Sequence, residues 1–327
     1  MRNVVISGTG SYLPSEIVTN KTLEESAPTS AEWVENVLGI YERRRMCSSE
    51  TPSDMAYKAS VEAMEMANLK PEDIDIIIVG TITPDRIVPS TGTILQRKLG
   101  ATKAVAFDVN AACAGYIFST IIAKQFLKNE YFNHALIVGV DAMSFLTDYE
   151  DRTCVFYGDG AGATILSGKK SSNGILSTYF RSDGQSNETV TVPNGMAEKP
   201  LCEDSIKERN HYLLMRGNDV GRNAIDIIPH AIEEAAKRAD VDLDDIKYLI
   251  PHQPNLTLLK KCADKLNIPE EKVVITLDKY ANMSSANVPI ALDHAYRNGK
   301  LQDGDVLSMV TIGAGWTWAS MMVKWGV

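Results

Sequence analysis

The sequence repeats itself at an offset of 172 residues, and this repeat limits the possible folds more than any other feature. In residues 56–80, alanines at helical spacing lead through a short turn into a run of apolar residues. Residues 228–252 contain the same order of helix, turn and apolar strand, and Ile74 maps onto Ile246 without a gap. A shared offset over three consecutive elements is hard to obtain by chance, so we interpret the chain as a duplication.

The repeat predicts two similar α/β halves, residues 1–170 and 171–327. Because apolar strands alternate with amphipathic helices, we expect each half to contain a buried sheet covered by helices. We expect the halves to pack about a pseudo-two-fold axis, across which equivalent residues face each other. The turn-forming stretch 167–174 is the predicted boundary. The polar segment 183–209 is predicted to be a long excursion, of the kind that is often functional or mobile.

Charge and composition exclude several classes of protein. The chain has 33 basic and 42 acidic residues and a net charge of −9, whereas general nucleic-acid binding requires a basic surface. It lacks the run of about 18 apolar residues that a membrane-spanning helix needs, and its first apolar stretch is too short for a secretory signal. Five scattered cysteines indicate reduced thiols, with neither a disulfide framework nor a metal site. These features predict a cytoplasmic protein.

Cys113 is the first candidate for chemistry, because it begins a largely apolar helix directly after a strand that ends near Val109. Free N–H groups and the helix dipole at such a position stabilise an anion. We therefore expect the pKa of the thiol to be lowered and the thiol to be nucleophilic. A second interpretation fits this segment equally well, namely a small core residue flanked by alanines.

His252 and Asn282 are the next candidates, and both follow a predicted strand. His252 stands at the end of an apolar strand, where α/β folds collect catalytic groups. Asn282 lies in a polar turn after the predicted strand 273–277, and the repeat places it close to the counterpart of Cys113. Each also has an ordinary interpretation, as a structural histidine and as a turn asparagine.

Two glycine-rich segments are the remaining candidates. In residues 312–318, the glycines permit backbone N–H groups to point into a cavity, as an oxyanion hole requires, although a tight hairpin has the same composition. Residues 158–162 lack the glycine spacing of phosphate-binding loops, so we interpret them as closely packed strands.

The segments around Cys113, His252 and Asn282 together resemble those of the β-ketoacyl-[acyl-carrier-protein] synthase III family, and the resemblance covers essentially the whole chain. It implies the thiolase-like α/β fold, with layers in the order αβαβα. It also implies a ping-pong mechanism in which Cys113 takes an acyl group from an acyl-CoA. Malonyl-acyl-carrier protein then loses CO2 while His252 and Asn282 stabilise the enolate, and the product is 3-oxoacyl-carrier protein. The backbone N–H groups of Cys113 and Ala314 are expected to form the oxyanion hole.

The resemblance also implies ligands and partners. A coenzyme A thioester is the substrate, no cofactor is tightly bound, and the enzyme is a homodimer. Trp33 and Arg152 match a pair that sandwiches the adenine of coenzyme A, and Asn218 and Asn255 match contacts to the pantetheine arm. A basic patch is predicted to bind the acidic carrier protein, although a solvated helix face explains the same charges. The residues of this patch are Arg222, Lys260, Lys261 and Lys265.

The chain departs from the family pattern at several positions near the substrate tunnel. These positions are Val37, Val88, Gly221, Ile312 and Ala314. Most of them carry a smaller side chain than the family does, so we expect a wider or longer pocket than acetyl-CoA needs. One alternative is a relative in secondary metabolism that uses a longer or unusual acyl-CoA and a different acceptor. Another is a silent partner subunit, although the intact Cys/His/Asn set speaks against it.

Overall fold

A computed structural model of the protein describes residues 2–326, apart from the side chains of Ser186, Asn187 and Asn218. The strands are β1 (Arg2–Tyr12), β2 (Glu16–Thr19), β3 (Glu42–Arg45), β4 (Ile76–Gly80), β5 (Val105–Val109), β6 (His134–Ala142), β7 (Asp159–Lys170), β8 (Gly174–Ser182), β9 (Val190–Thr191), β10 (Leu214–Met215), β11 (Ile246–Pro251), β12 (Val306–Gly313) and β13 (Thr317–Lys324). The α-helices are α1 (Asn20–Glu24), α2 (Ala31–Trp33), α3 (Pro52–Ala67), α4 (Thr91–Leu99), α5 (Gly115–Lys128), α6 (Glu203–Lys207), α7 (Gly217–Ala239), α8 (Leu256–Lys265), α9 (Leu277–Tyr280) and α10 (Asn287–Arg297).

Two large sheets form the frame of the molecule. The first sheet has the order β1-β7-β6-β4-β5, with β4 parallel to β5 and to β6. The second sheet has the order β11-β12-β13-β8, with β11 parallel to β12. The strands of the first sheet lie within residues 2–170 and those of the second within residues 174–324, so each sheet is built from one stretch of chain.

Helices cover both faces of each sheet. α5 and α10 lie between the sheets, in an apolar cluster that includes Ile76 from the first sheet and Met309 from the second. α3 and α4 cover the outer face of the first sheet, and α7 and α8 cover the outer face of the second. The layers therefore follow the order αβαβα, as predicted.

The offset of the repeat also holds in the backbone conformation. α3 and α7 end at Asn68 and Asp240, which have left-handed φ angles of 53° and 55°. Ala112 and Ser284, with φ angles of 48° and 52°, each begin a 3-10 turn that leads into a central helix. Residues with a Cβ rarely adopt this conformation, so its recurrence at equivalent positions marks the two turns as counterparts.

The predicted strand 273–277 is wrong in its extent. A single bridge joins this segment to β11, and α9 begins at its last residue. The Gln253 side chain takes hydrogen bonds that a longer strand would make. Its Nε2 donates to the carbonyl of Val274 at 3.0 Å, and its Oε1 accepts from the N–H of Thr276 at 3.0 Å. A buried side chain thus replaces part of a strand at this edge of the second sheet.

Candidate active site

Cys113, His252 and Asn282 line one cavity of about 140 Å³, and Ala314 lines it as well. The rest of the wall is largely apolar, and it includes Ile82, Met143, Phe156, Val190, Leu213 and Trp316. Three side chains that the sequence predicts to be functional, and that lie far apart along the chain, therefore reach the same cavity. The cavity combines a thiol, an imidazole and a carboxamide with apolar surface.

Cys113 occupies the middle of the 3-10 turn Ala112–Ala114, immediately before α5. Thr311 on β12 donates its hydroxyl to the Cys113 carbonyl at 2.9 Å and so ties this turn to the second sheet. Burial raises the pKa of the thiol to about 11, and the nearby Asp141 carboxylate also raises it. The expected lowering of the thiol pKa is therefore wrong, because desolvation outweighs the hydrogen bonds that lower it.

His252 is almost completely buried beyond the end of β11, where its backbone N–H donates to the Val310 carbonyl at 2.8 Å. Burial lowers the pKa of the imidazole to about 4, so the ring is neutral at pH 7. A hydrogen bond with the Asn287 side chain acts in the opposite direction on this pKa, but burial outweighs it. A neutral imidazole donates one hydrogen bond and keeps its proton, which suits an anion that forms in the cavity.

Asn282 is held by its own backbone and by the turn that follows it. Its N–H donates to the Phe156 carbonyl at 2.8 Å, and its carbonyl accepts from the N–H of Gly158 at 3.1 Å. Its side-chain Oδ1 accepts from the Ser284 N–H at 2.8 Å. Because the backbone engages that oxygen, the Nδ2 group is the part of the amide left for the cavity. Asn282 therefore provides a second neutral donor beside His252.

The glycine-rich hairpin between β12 and β13 docks directly onto the Ala112–Ala114 turn. Thr317 donates its hydroxyl to the Ala111 carbonyl at 3.0 Å. A Cβ on Gly313 would lie 2.7 Å from the same carbonyl oxygen, so glycine is required for this close approach. The hairpin brings Ala314 to the wall of the cavity that Cys113 also lines, where an oxyanion hole requires backbone donors.

The two residues predicted to hold adenine are in contact with each other. The guanidinium carbon of Arg152 lies 4.7 Å from the centroid of the Trp33 ring. Ser30 caps the helix that contains Trp33, and Asp151 caps the 3-10 helix that begins at Arg152. A separation of 4.7 Å leaves no room for a ring between the two groups, so the predicted binding of adenine between them would require the side chains to move apart.

Of the two asparagines predicted to contact pantetheine, only Asn255 has a described side chain. Asn255 lines the cavity, and its Oδ1 caps α8 by accepting from the Leu258 N–H at 2.9 Å. This bond orients the amide at the cavity wall. The side chain of Asn218 lies outside the described residues.

The predicted basic patch is partly neutralised by acidic neighbours. Lys260 pairs with Glu270 at 3.0 Å, and Lys265 pairs with Asp226 at 2.6 Å. The other two cations, Arg222 and Lys261, are exposed and form no ion pair within the part of the chain that the structure describes. Exposed ion pairs contribute little to stability, so the paired lysines remain able to exchange partners.

Three of the five departures from the family pattern line the cavity, namely Gly221, Ile312 and Ala314. A Cβ at Gly221 would meet no atom within 4 Å, so this position leaves open space in the cavity wall. Val37 and Val88 lie elsewhere and are 41% and 79% exposed. The wider pocket stays a prediction, and Gly221 is its clearest support.

Sequence reasoning missed two contributors to the site. One is the apolar wall provided by Val190 and Met215, which lie on the paired strands β9 and β10. The available signal was a pair of short apolar stretches in and after the polar excursion. The other is Asp141, a completely buried carboxylate whose charge acts on the Cys113 thiol. An aspartate inside the apolar strand β6 was the signal for it.

Among the described residues, no helix combines the length and apolar character needed to cross a membrane. Nor does any group of three or more His, Cys, Asp or Glu side chains within residues 2–326 have the arrangement of a metal site. All five cysteines are free thiols.

Comparison with known proteins relates the chain to one family. The family described as 3-oxoacyl-[acyl-carrier-protein (ACP)] synthase III matches residues 107–184, and its C-terminal part matches residues 236–325. The β-ketoacyl-[acyl-carrier-protein] synthase III of Caldanaerobacter subterraneus subsp. tengcongensis is 42% identical over 321 residues, which cover 98% of this chain and 97% of that protein. The synthase III of Clostridioides difficile is 40% identical over 321 residues, which cover 98% of each chain.

Solved structures agree with this relationship. The crystal structure of 3-oxoacyl-[acyl-carrier-protein] synthase III from Aquifex aeolicus matches with a TM-score of 0.91 and 36% identity, covering 98% of this chain and 100% of that chain. The match confirms the thiolase-like α/β fold that the resemblance implied. By its sequence and by its architecture, the chain belongs to the β-ketoacyl-[acyl-carrier-protein] synthase III family.

Proposed function

We propose that this chain is a condensing acyltransferase that loads an acyl group from an acyl-CoA onto Cys113. It then joins this group to malonyl-acyl-carrier protein, with loss of CO2, to give 3-oxoacyl-carrier protein. One observation carries the proposal. Cys113, His252 and Asn282 line a single cavity in a chain that is 42% identical, along nearly its whole length, to a β-ketoacyl-[acyl-carrier-protein] synthase III.

In the first half-reaction, the sulfur of Cys113 attacks the thioester carbonyl of the acyl-CoA. The carbonyl oxygen becomes negative and accepts hydrogen bonds from the backbone N–H groups of Cys113 and Ala314. The bond between the carbonyl carbon and the sulfur of coenzyme A then breaks, and the thiol proton ends on the departing thiolate. Because the pKa of the Cys113 thiol is about 11, we expect deprotonation to accompany the attack and not to precede it.

In the second half-reaction, the bond between the carboxylate and Cα of the malonyl group breaks, and its electron pair forms an enolate. His252 and the Nδ2 group of Asn282 donate hydrogen bonds to the enolate oxygen. The enolate carbon attacks the acyl carbonyl on Cys113, and the Cys113 thiolate leaves and takes up a proton from solvent. The imidazole pKa of about 4 keeps His252 neutral, so it stabilises the enolate by donation of a hydrogen bond.

Surface features support the binding of both substrates. We place the adenine of coenzyme A between Trp33 and Arg152 and the pantetheine arm along Asn218 and Asn255. The acidic carrier protein docks on the basic patch defined above, where the two cations without local acidic partners act most strongly. The reduced thiols and these substrates indicate that the enzyme works in the cytoplasm.

A homodimer is part of the proposal, formed through the edge of the first sheet. β5 stands at the end of the strand order and pairs with β4 alone among the described strands. Its Val105 is 52% exposed, and the segment before α4 carries Ile87 and Val88 with exposures of 77% and 79%. An open strand edge with apolar side chains nearby favours pairing with a second copy. Such a dimer would also allow Val88 to reach the acyl pocket of its partner.

Transfer of the acyl group to a different acceptor is the competing function. It keeps the acyl-Cys113 step but needs no decarboxylation, and His252 would then act as a general base. The identity of 42% to a synthase III protein, together with two neutral donors on the same cavity, favours the decarboxylating reaction. The same observations disfavour a silent subunit.

Intact-mass analysis after exposure to a panel of acyl-CoAs tests the proposal and also reports the preferred primer. We expect an acyl mass increment on the wild type and on Cys47→Ala, which removes an exposed cysteine elsewhere, but none on Cys113→Ala. Malonyl-carrier protein should then release the acyl group as 3-oxoacyl-carrier protein. Equal product from Cys113→Ala would overturn the proposal, and product formed without malonyl-carrier protein would support the competing acceptor.

A further inference from the structure

Asp141, near the end of β6, is a carboxylate that is completely shielded from solvent. No basic side chain within residues 2–326 pairs with it, and protein N–H and hydroxyl groups surround it. The donors are Thr81 Oγ1 (3.0 Å), Ile82 N (2.8 Å), Thr83 N (3.2 Å), Thr83 Oγ1 (3.0 Å) and Ser285 N (3.0 Å). Burial raises the pKa of this carboxyl group, whereas its hydrogen bonds with the Ile82 and Ser285 N–H groups lower it. The five donors thus favour the ionised form against the cost of burial.

The two oxygens of this carboxylate hold different halves of the molecule. Oδ1 accepts every bond from residues 81–83, and Ile82 in that segment lines the cavity. Oδ2 accepts from Ser285, in the 3-10 turn of the second half. The N–H of the preceding residue, Ser284, donates to Oδ1 of Asn282 at 2.8 Å. Asp141 is therefore linked through one short turn to the amide that we place on the enolate.

This turn packs closely against three glycines of the first half. A Cβ on Gly139 would lie 2.3 Å from the Ser285 carbonyl oxygen, and a Cβ on Gly80 would lie 2.7 Å from the Ser285 hydroxyl. Gly115, at the start of α5, would approach the same hydroxyl at 3.0 Å. The three glycines permit the turn to approach β4, β6 and α5 closely. The hydrogen bond from the Ser285 N–H to Asp141 is the directional contact that orients the turn.

We propose that Asp141 is a positioning residue for the second half-reaction, because its bond to the Ser285 N–H sets where the Asn282 amide meets the enolate. The inference rests on the proposed function, since it concerns the step that the amide serves. Asp141 is not among the residues that line the cavity, so it acts through the turn and not on the substrate. Its contacts with residues 81–83 also hold Ile82 in place at the cavity wall.

Asp141→Asn is the main test, because the amide keeps the volume but loses the charge and one acceptor oxygen. A shift of the catalytic amide by about 1 Å costs on the order of 100-fold in rate, so we expect CO2 release from malonyl-carrier protein to fall about 100-fold. Acylation of Cys113 by acyl-CoA should fall much less. Asp293→Asn is the matched control, since this carboxylate is equally buried but is held by Ser11 and Arg297. It should leave the ratio of the two rates at the wild-type value.

Two further measurements separate positioning from a general loss of folding. The Asp141 charge raises the pKa of Cys113, so the pH profile of Cys113 alkylation should move to lower pH in Asp141→Asn. Thr83→Val is nearly isosteric. It removes the hydroxyl contact to Oδ1 and the acceptor of the Ala142 N–H at 2.8 Å, while the contact of Asp141 to the Ser285 N–H remains. We expect it to raise KM for acyl-CoA and to leave CO2 release unchanged.

A selective loss of CO2 release in Asp141→Asn, with the ratio preserved in Asp293→Asn, supports the inference. Equal loss of both half-reactions, or no loss, overturns it. If Asp141→Asn fails to fold, the Thr83→Val variant tests the inference instead. A defect in CO2 release in that variant, without an effect on KM for acyl-CoA, would contradict the separate roles of the two Asp141 oxygens. A wild-type protein that neither acylates nor releases CO2 defeats the proposed function, which is a result distinct from these.

Discussion

The 3-10 turns at residues 112–114 and 284–286 share a backbone conformation but differ in what they present. Both begin with a left-handed residue, Ala112 at a φ of 48° and Ser284 at a φ of 52°. Cys113 lines the cavity, whereas Ser285 at the equivalent position is completely buried against glycines. The duplicated fold therefore contains the same strained turn twice. The first copy lines the cavity through Cys113, and the second is packed in the interior next to the site.

The two halves also differ in the charge that their groups need. In the proposed mechanism, the first half supplies a thiol that must lose its proton as it reacts, and the second supplies an imidazole, His252, that must stay neutral in order to donate a hydrogen bond. The same apolar surroundings lower the pKa of His252 to about 4 and raise the pKa of Cys113 to about 11. If the proposed mechanism holds, burial keeps His252 in the neutral form that it needs, while Cys113 is deprotonated only as it attacks the thioester.

Exchange of the two equivalent side chains should have the largest effect. In the double variant Cys113→Ser/Ser285→Cys, we expect acyl transfer to fall at least about 1,000-fold, because a hydroxyl is the weaker nucleophile. The displaced thiol is expected to be inert, since Ser285 is completely buried. Peptide mass mapping after exposure to acyl-CoA measures the outcome, with Cys113→Ser alone as the control. An acyl group recovered at position 285 would show that both turns reach the substrate.

Substitution of a glycine that packs against Ser285 should have the next largest effect, on the free energy of unfolding. Gly139→Ala places a Cβ 2.3 Å from the Ser285 carbonyl oxygen. We expect the free energy of unfolding to fall by about 3 kcal/mol, because a backbone oxygen cannot move aside as a side chain can. Urea denaturation measures the change. Gly221→Ala is the matched control, because its Cβ meets no atom within 4 Å and alanine favours the helix. Similar losses in both variants would show that Ser285 is not tightly enclosed.

The repeat made much of this fold predictable. Each half presents apolar strands and amphipathic helices at one offset, so two sheets covered by helices were predictable from the repeat, and the resemblance supplied the order of the layers. Cys113 and His252 were identifiable because each follows a strand, and Asn282 because the repeat places it close to the counterpart of Cys113. The resemblance combined the three residues into one site. These features depend on local patterns, which a sequence records directly.

The features that the sequence did not predict depend on contacts between segments that are distant along the chain. The pKa of Cys113 follows from a cavity that Val190 and Leu213 help to enclose, and burial of this kind leaves no local pattern. Residues 273–277 read as a strand, but the distant Gln253 side chain takes their hydrogen bonds. Asp141 sits within an apolar strand, and its five donors come from two separate loops. In each case a tertiary contact overrides a local signal.

The neutral state of His252 predicts a dependence of stability on pH. Because its folded pKa of about 4 lies below the ordinary value, the unfolded chain binds the extra proton first, and stability falls as pH decreases from about 6.5 to about 4. We expect the folded state to lose about 2 kcal/mol from this residue between pH 7 and pH 5. Urea denaturation at both pH values, compared with His252→Gln, isolates the effect because other groups titrate in both proteins. An equal loss in the variant would contradict a neutral, buried imidazole.

Glycine substitutions that relieve the left-handed strain of the two 3-10 turns should have the smallest effects on the free energy of unfolding. Ala112→Gly and Ser284→Gly should each raise the free energy of unfolding by about 0.5–1 kcal/mol, because relief of left-handed strain exceeds the entropy that glycine adds to the unfolded chain. Ala114→Gly is the control, since Ala114 has a φ of −84° and its replacement brings the entropic penalty alone. Thermal or urea unfolding of the three variants resolves the signs. If Ala112→Gly and Ser284→Gly shifted stability in opposite directions, the two turns would not be conformational equivalents, and the division between a reacting and a supporting copy would lose its structural basis.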